Sequence, residues 1–505
     1  MEVEESNLPK MAKAIVQRPL SIVFRIMGVR AFLAVAALLV LSATVASGKV
    51  AFEVHSKFKG RQRSLSDLWE HDSTRHGRLL SAVDLPLGGS GNATSTGLYY
   101  AKIGLGSPSQ DYYVQVDTGS DNLWVLCSSC NSCPTMSYLG LKLEYYDPKG
   151  SSTGNSVTCD QEFCRYANNG AIPDCKSDMQ CKYNVTYGDG SSSAGYYFKD
   201  YVHLNQGTRN LQSSLANASI IFGCATNQSG NLAMASGALS GLMGFGQSNT
   251  SVLSQLASAG KVKKIFAHCL DNKRGGGIFT IGEIVQPIVK TTPLVPHQSH
   301  YNIVMKAIEV DGEAIQLSMG ILGLLYDEIE AIVDSGTTLA YLPGDIYDSV
   351  MSKIMAKQPG LVLRIVDNTF SCFDFSGNMD DGFPAVKFQF AGSLNLTVYP
   401  HDYLFQHENG WCFGWLRSSV QYGGKEVVLL GDLVLSNKLV IYNLVNQTIG
   451  WVDYNCSSSI QVKDEKSGAT HTVGTHNLSP SSAPVVGRTL TWFLLIPAVL
   501  YSLAW

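Results

Sequence analysis

Two aspartates, Asp117 and Asp334, lie far apart in the sequence but within similar short motifs. The first motif reads Val116-Asp117-Thr118-Gly119-Ser120 and the second reads Val333-Asp334-Ser335-Gly336-Thr337. Amide hydrolysis needs a nucleophile and a proton donor, and two carboxyl groups that share one proton supply both through a bound water. Like charges at short range cannot both ionise, so the pKa of one group rises and that of the other falls. The two motifs therefore predict a single acid–base pair to which each half of the chain contributes one aspartate.

The other positions of each motif suit this chemistry. A glycine lets the backbone approach closely at the turn. A hydroxyl group can donate a hydrogen bond to the outer carboxylate oxygen, and a second hydroxyl residue can brace the two loops against each other. The glycines are Gly119 and Gly336, the hydroxyl donors are Ser120 and Thr337, and the bracing residues are Thr118 and Ser335.

A third stretch, Tyr187-Gly188-Asp189-Gly190-Ser191, is a candidate for a mobile hairpin. Gly-Asp-Gly between aromatic strand residues is a strong turn signal, and such a hairpin would cover the substrate and exclude water. Tyr187 has a structural alternative, since an aromatic residue at this position also serves cross-strand packing. Trp124, in the strand pattern after Asp117, has the same alternative as a core residue.

The elements that must position these residues form an internal duplication. Each aspartate motif is followed by an apolar-apolar-Gly element, at Leu242-Met243-Gly244 and at Leu429-Leu430-Gly431. Glycine is frequent at 48 residues and charged residues make up only 15 %, which suits a turn-rich β protein. We predict a mostly β fold with two internally related β-barrel-like lobes and a few short helices. The lobes are assigned to residues 93–296, with a Cys-rich insertion at 127–181, and to residues 297–456.

Two helices are predicted within these lobes. Ser251 to Ala257 has a helical pattern with Asn249 or Thr250 as its N-cap, and Pro343 to Met355 reads as a second helix.

The two ends of the chain are interpreted as targeting segments. Residues 1–48 read as a signal peptide with a long n-region, the alternative being a retained membrane anchor. Residues 49–92 are assigned to a prosegment and linker whose basic groups could block an acidic cleft, with Gly88 to Asn92 as an exposed place to cut. Residues 457–488 read as a polar Ser/Thr-rich stalk, and residues 489–505 as an apolar signal for a glycosylphosphatidylinositol (GPI) anchor. The candidate attachment residues are Ser479, Ser481 and Ser482, and a retained membrane span is the alternative.

The cysteines and the glycosylation motifs are interpreted on the expectation that the protein is secreted. Twelve cysteines favour a disulfide framework over metal or redox sites: Cys127, Cys130, Cys133, Cys159, Cys164, Cys175, Cys181, Cys224, Cys269, Cys372, Cys412 and Cys456. Nine Asn-x-Ser/Thr motifs predict a glycoprotein at the cell surface: Asn92, Asn184, Asn217, Asn227, Asn249, Asn395, Asn446, Asn455 and Asn477.

Several other classes of function are disfavoured. The formal net charge is −4 and the basic residues do not cluster in the central region, so no nucleic-acid partner is expected. Cys127-x-x-Cys130 lacks a second ligand pair at zinc-finger spacing, and His297-x-x-His300 reads as a loop pair, so no metal is expected. No cofactor-binding motif follows a strand.

The motifs resemble those of the pepsin-type aspartic proteases over about Gly97 to Cys456. The two aspartate motifs, the Tyr187 hairpin and the apolar-apolar-Gly repeats carry the likeness. The Cys127-x-x-Cys130-x-x-Cys133 run and Asp147 to Thr153 resemble the nepenthesin-like plant subgroup, and the terminal tail resembles its GPI-anchored members. The resemblance implies a cleft between the lobes, a flap tyrosine at Tyr187 with Trp124 as its hydrogen-bond partner, and a Cys372–Cys412 disulfide.

The function that follows is an acidic aspartic endopeptidase that cleaves peptides between bulky apolar residues. It is expected to be a monomer, anchored to the extracellular face of the plasma membrane. The alternative is a catalytically silent surface protein of this fold that binds or inhibits a partner. One stretch, 319–331, is more apolar than the corresponding hairpin of such proteases, and we interpret it as a true variant or a gene-model error.

Overall fold

The computed structural model describes residues 82–89, 99–170, 172–207, 213–234, 239–315, 329–418, 421–422, 425–463, 468–476 and 478. These residues form a mostly β protein, as predicted. Through the first half of the chain the strands are β1 Val83–Asp84, β2 Leu87–Gly89, β3 Tyr99–Leu105, β4 Gln110–Asp117, β5 Leu123–Leu126, β6 Asn155–Ser156, β7 Lys182–Thr186, β8 Ser192–Gly207, β9 Ser213–Ser229, β10 Gly241–Gly244, β11 Ile265–Leu270, β12 Gly277–Ile281, β13 Glu283–Gln286 and β14 Thr291–Pro293.

The second half of the chain continues in the same way. Its strands are β15 Asn302–Val310, β16 Glu313–Ile315, β17 Ile329–Val333, β18 Ala340–Leu342, β19 Arg364–Val366, β20 Phe370–Phe373, β21 Val386–Phe390, β22 Asn395–Val398, β23 Leu404–His407, β24 Gly410–Phe413, β25 Trp415–Arg417, β26 Gln421–Tyr422, β27 Lys425–Glu426, β28 Val428–Leu430, β29 Lys438–Asn443, β30 Thr448–Asp453, β31 Ile460–Lys463 and β32 Thr470–Val473.

The described α-helices are few and short, as predicted. They are α1 Glu162–Ala167, α2 Val252–Ser258, α3 Gly344–Met355, α4 Met379–Gly382, α5 Pro400–Tyr403 and α6 Asp432–Leu435, and 3₁₀ turns lie at Gly230–Ala233 and Ala391–Ser393. The N-cap of α2 is Ser251, whose hydroxyl accepts a hydrogen bond from the Ser254 N–H, so the predicted cap at Asn249 or Thr250 was wrong. Three hydroxyl or amide residues precede this helix, and its first turn selects the one with the correct spacing.

The internal duplication appears as two similar strand arrangements. In the first, β10 pairs in parallel with β4 and antiparallel with β5, so it lies between the strands on either side of the first aspartate loop. In the second, β28 pairs in parallel with β17 and antiparallel with β18 around the second loop. The apolar-apolar-Gly elements therefore form the strand inserted between the two strands that flank each aspartate loop. The bilobal prediction is confirmed in this form.

Strands from the two halves of the sequence meet in a shared sheet. β11 pairs with β12 on one side and with β29 on the other, and β29 continues to β30. Phe266 of β11 stacks on Tyr442 of β29 with ring centroids 4.4 Å apart. The hydroxyl of Tyr301 donates to the carbonyl of Phe245, whose own N–H donates to the Asp117 carbonyl. This aromatic core supports the first aspartate loop from below.

Part of the predicted prosegment and linker belongs to the folded protein. β1 inserts between β12 and β8, and Val83, Leu85 and Leu87 are buried in the main core. Gly88 is buried against the ring of Tyr100. It is thus not an exposed cleavage site. The charged composition of the surrounding segment conceals this short alternation of apolar residues.

The predicted polar stalk also begins too early. β31 pairs with β13 and with β32, and Ile460, Val462 and Val473 are buried. After this hairpin, His476 exchanges backbone hydrogen bonds with Gly277. Residues 457–463 and 468–476 are therefore part of the fold, since their apolar positions pack on a strand that is distant in the sequence.

All twelve cysteines lie in disulfides, which confirms the expected framework. The pairs are Cys127–Cys224, Cys130–Cys133, Cys159–Cys175, Cys164–Cys181, Cys269–Cys456 and Cys372–Cys412. The disulfide partner of Cys127 is Cys224 of β9, which lies outside the Cys-rich insertion. The sulfurs of Cys127 and Cys130 are occupied, so these residues are not zinc ligands.

The targeting predictions concern residues that the structure does not describe. The signal peptide, the C-terminal tail, Asn92, Asn477 and the three candidate anchor serines all lie outside the described ranges. Residues 319–328 of the unusual apolar stretch 319–331 also lie outside, whereas Ile329–Val333 forms β17. Within the described ranges, no helix has both the length and the apolar character that a membrane span requires.

Candidate active site

The two aspartates are positioned by the ends of equivalent strands. Asp117 is the last residue of β4, and Asp334 directly follows β17. Their exposed fractions are 5 % and 9 %. In each loop the glycine two residues later donates its N–H to the aspartate: Gly119 to Asp117 Oδ1 and Gly336 to Asp334 Oδ1, both at 2.8 Å.

The hydroxyl donors occupy the predicted positions. Ser120 Oγ donates to Asp117 Oδ2 at 2.5 Å, and Thr337 Oγ1 donates to Asp334 Oδ2 at 2.7 Å. Each carboxyl group thus has one oxygen bonded to a backbone amide and the other to a hydroxyl. Such bonds orient the carboxyl plane and stabilise its ionised form.

The glycines show how closely the two loops approach each other. A Cβ atom added to Gly119 would lie 2.5 Å from Asp334 Oδ2, and one added to Gly336 would overlap Asp117 Oδ1. Each glycine therefore faces the carboxyl group of the opposite loop. A side chain at either position would separate the pair.

Direct hydrogen bonds brace the loops beneath the carboxyl groups. The Ser335 N–H donates to Thr118 Oγ1 at 2.8 Å, and Thr118 Oγ1 donates to the Val333 carbonyl at 3.4 Å. Ser335 Oγ donates to the Val116 carbonyl at 3.4 Å. Thr118 is fully buried and Ser335 nearly so, so these bonds are shielded from water.

The electrostatics of the pair are those of two acids sharing one site. Burial, followed by the charge of Asp334, raises the pKa of Asp117 to about 7, against the lowering effect of the Ser120 and Gly119 hydrogen bonds. One proton is therefore retained between the two carboxyl groups over the acidic range. This leaves one ionised carboxylate and one carboxylic acid side by side.

The Tyr187 hairpin joins β7 to β8. The Tyr187 N–H donates to the Ser191 carbonyl, and Asp189 Oδ1 accepts bonds from the Ser191 N–H and hydroxyl at 2.9 and 2.6 Å. Asn231 donates to Asp189 Oδ2 at 3.1 Å. Asp189 thus holds the turn together, which leaves Gly188 at an exposed tip.

Trp124 and Tyr187 are in direct contact. Trp124 Nε1 donates to the Tyr187 hydroxyl oxygen at 2.7 Å, the arrangement that the resemblance implied. Trp124 is only 2 % exposed and also packs in the core of the first lobe, so its packing and hydrogen-bonding roles coexist. Burial raises the pKa of Tyr187. Its hydroxyl therefore keeps its proton and can donate onward.

A third carboxyl group, Asp432, was missed by the sequence analysis. It directly follows Gly431, and its N–H donates to the Thr337 carbonyl at 2.7 Å. Asp432 is 3 % exposed, and neither carboxyl oxygen has a hydrogen-bond partner among the described residues. Burial and then the charges of Asp334 and Asp117 hold the pKa of Asp432 well above its usual range. Its position after an apolar-apolar-Gly element was the available signal.

The fold and the site together define a class of protein, the bilobal pepsin-like β proteins. Residues 99–283 match the family model described as xylanase inhibitor N-terminal, and residues 300–453 match the one described as xylanase inhibitor C-terminal. Two similar structures are basic 7S globulin from soybean and conglutin gamma from lupine seeds. The soybean protein has a TM-score of 0.56 at 18 % identity, covering 75 % of this chain and 96 % of that one. The lupine protein has a TM-score of 0.58 at 20 % identity, covering 74 % and 94 %.

Sequence relatives define the family more closely. The chain is 50 % identical to aspartic proteinase 36 of Arabidopsis thaliana over 92 % of its own length and 95 % of that protein. It is 48 % identical to aspartic proteinase 39 of the same plant, over 89 % and 93 %. The chain therefore belongs to the plant pepsin-type aspartic proteases, and it is an aspartic-type endopeptidase.

Proposed function

We propose that Asp117 and Asp334 are the catalytic pair of this protease. The observation that carries the proposal is the reciprocal contact of the two loops, in which each glycine faces the other loop's carboxyl group. The ionised carboxylate removes a proton from a water bound between the two groups, and that water attacks the scissile carbonyl carbon. The protonated carboxyl group donates its hydrogen to the carbonyl oxygen. Collapse of the tetrahedral diol breaks the C–N bond and expels the amine, which takes up the proton held by the pair, while a diol hydroxyl returns its proton to the pair and so restores the singly protonated state.

The Tyr187 hairpin is proposed to close over the bound peptide. The Trp124 indole N–H fixes the Tyr187 oxygen as an acceptor, so the Tyr187 hydroxyl proton is free for the substrate. Closure would exclude water and strengthen the electrostatic interactions at the pair. Thr118 and Ser335 act as positioning residues that keep the two carboxyl groups at a fixed separation.

The substrate is proposed to be a protein or peptide cleaved between bulky apolar residues at acidic pH. The raised pKa of Asp117 supports an active, singly protonated pair below neutrality. The resemblance to pepsin-type proteases supports the preference for apolar residues. Both aspartate loops have the full set of hydrogen bonds, so the alternative of a silent binding protein is not favoured.

Cleavage of a peptide library by the purified, activated protein tests this proposal. We expect pepstatin-sensitive cleavage at acidic pH, and a loss of at least about 1,000-fold in kcat for Asp334→Asn. Asp374→Asn is the matched control, because Asp374 is a carboxylate of the same lobe whose side chain is 75 % exposed. Equal activity in both variants, or activity that pepstatin does not inhibit, would contradict the assigned pair.

Secretion and membrane anchoring are proposed for the whole chain. Six disulfides suit an oxidising compartment. The glycosylation asparagines that the structure describes are all exposed: Asn184, Asn217, Asn227, Asn249, Asn395, Asn446 and Asn455. The terminal tail suits a GPI signal. The mature protein would lie at the extracellular face of the plasma membrane.

Phosphatidylinositol-specific phospholipase C tests the anchor. We expect the enzyme to release the protein from isolated membranes into the supernatant. Retention of the protein, while a known GPI-anchored control is released from the same membranes, would favour a spanning tail.

A further inference from the structure

A cavity of about 330 Å³ lies on the C-terminal half of the chain, outside the aspartate loops and the Tyr187 hairpin. It is bounded by Tyr399, Asp402, Asn437, Lys438 and Tyr454, with Asp453 and His401 completing its lining. The volume is within the range of natural small-molecule sites.

The floor of the cavity is a buried ion pair with unused hydrogen-bonding capacity. Lys438 and Asp402 are 2 % and 1 % exposed, and Lys438 Nζ lies 3.1 Å from Asp402 Oδ2. The ammonium has three donors. Among the described residues its acceptors are Asp402 Oδ2 and the Ser436 carbonyl at 3.3 Å, while Asp453 Oδ1 is 3.9 Å away. One Lys438 N–H is therefore available to a ligand.

Asp402 supplies a complementary free acceptor. Its Oδ2 also accepts the Tyr399 N–H, whereas Oδ1 has no hydrogen-bond partner in the described part of the chain. His401 Nε2 lies 3.5 Å from this oxygen. His401 Nδ1 bonds to Asp380, so in the neutral imidazole Nδ1 carries the proton and Nε2 does not donate to Asp402. A buried acceptor without a partner among the described residues thus lies beside a donor with spare capacity, both on residues that line the cavity.

Two tyrosines form the walls. Tyr399 is 40 % exposed, and its ring stacks on the His401 ring with centroids 5.6 Å apart and an interplanar angle of 7°. The Tyr454 hydroxyl donates to the Ser459 carbonyl at 2.6 Å, and its N–H donates to the Asn437 carbonyl at 2.9 Å. These contacts hold both aromatic rings in place before any ligand arrives.

The charges of the lining exclude an ionic ligand. A cation would meet the Lys438 ammonium at the floor, and an anion would meet Asp402 and, at the rim, Asp453. A neutral hydroxyl group instead donates to Asp402 Oδ1 and accepts from Lys438 Nζ at once. The C–H face of a sugar ring packs well on a tyrosine ring, which combines an apolar face with a polar edge. We propose that this cavity binds a pyranose unit of a carbohydrate.

The test uses the purified full chain at neutral pH after enzymatic removal of attached glycans. Methyl glycosides of glucose, xylose, galactose and N-acetylglucosamine are titrated separately, with saturation-transfer NMR and calorimetry as readouts. At least one glycoside should bind saturably with a dissociation constant in about the millimolar range. Tyr399→Ala should weaken its binding about tenfold through loss of the ring contact.

Tyr138→Ala is the matched control, because Tyr138 is 72 % exposed and lies outside the cavity. It should bind the glycoside as the unaltered protein does, and circular dichroism should show that both variants are folded. Asp402→Asn is unsuitable as the main variant, since it would leave Lys438 buried without its counter-ion. The proposal is overturned if no glycoside binds saturably up to about 50 mM, or if Tyr399→Ala binds as well as Tyr138→Ala.

Discussion

At the scale of single residues, the hydrogen bonds to Asp117 set the pH range of the pair. Activity requires one shared proton, so it falls as the pH rises through the pKa of about 7. The Ser120 hydroxyl lowers this pKa because its bond stabilises the carboxylate. In Ser120→Ala the proton is held more tightly, and the falling limb of the kcat/KM profile should move up by about one pH unit.

The measurement is a pH series of kcat/KM with a peptide whose own charge does not change in this range. Ser120→Thr retains a hydroxyl group and should keep the profile near its original position. A shift of the limb to lower pH in Ser120→Ala would contradict the assigned role of the bond.

His268 is a second residue whose ionisation matters in acid. It is fully buried in β11, its Nε2 lies 3.0 Å from the Tyr442 hydroxyl, and burial lowers its pKa to about 3. The unfolded chain binds the proton more readily, so this contribution to stability is complete above pH 6.5 and is lost as the pH falls toward 3. At pH 4 the loss is about 3 kcal/mol. Asp117 acts in the opposite direction, because its raised pKa favours the folded state in acid.

We therefore expect His268→Gln to reduce the difference in unfolding free energy between pH 7 and pH 4 by about 3 kcal/mol. Glutamine can still bond to the Tyr442 hydroxyl but does not titrate. Urea unfolding in an Asp334→Asn background avoids self-cleavage. His297→Gln, at an exposed position, should leave the difference unchanged, and an equal effect in both variants would refute the role of burial.

At the scale of elements, the sequence predicted those features whose determinants are local. The aspartate loops, their hydroxyl donors and the Gly-Asp-Gly turn each have their determinants within a few residues. Asp432 was missed because it reaches the site only when β28 inserts between β17 and β18. β1 and the β31–β32 hairpin were missed for a similar reason. Their partners, β12, β8 and β13, lie far away in the sequence.

The role of the Tyr187 hairpin can be tested through the hydrogen bond from Trp124 of β5 to the Tyr187 hydroxyl. Tyr187→Phe removes only the hydroxyl group and should lower kcat/KM about five- to tenfold, the effect of losing about 1 kcal/mol in the transition state. Thermal stability should change little, since the ring remains packed. Steady-state kinetics with an apolar peptide provide the measurement.

A double-mutant cycle identifies the partner of Tyr187. Trp124→Phe alone should also lower kcat/KM, because Tyr187 loses the donor that orients it. In the double variant, the loss of transition-state stabilisation should be about 1 kcal/mol smaller than the sum of the losses in the two single variants. Fully additive losses would show that the two residues act independently.

At the scale of the whole molecule, the two halves of the sequence depend on each other. β29 and β30 from the second half extend the sheet of the first half through β11. The Cys269–Cys456 disulfide, with a sequence separation of 187, links the same region. Each aspartate loop also supplies a hydrogen-bond partner for the other. Neither lobe should therefore cleave peptides on its own.

Removing the Cys269–Cys456 disulfide by a Cys269→Ser/Cys456→Ser double change tests this dependence. Chain-entropy arguments give a loss of about 5 kcal/mol for a loop of this length, and about 2 kcal/mol for the short Cys130–Cys133 loop. Both pairs lie in the folded protein, so Cys130→Ser/Cys133→Ser is the matched control.

Unfolding is followed by urea titration at neutral pH, again in an Asp334→Asn background. The long-range variant should lose about 3 kcal/mol more than the control, and both lobes should unfold in one transition because they share a sheet and a core. Two separate transitions in the control would show that the lobes are stable independently. In that case the close approach of Asp117 and Asp334 would rest on the loop contacts alone rather than on the shared sheet.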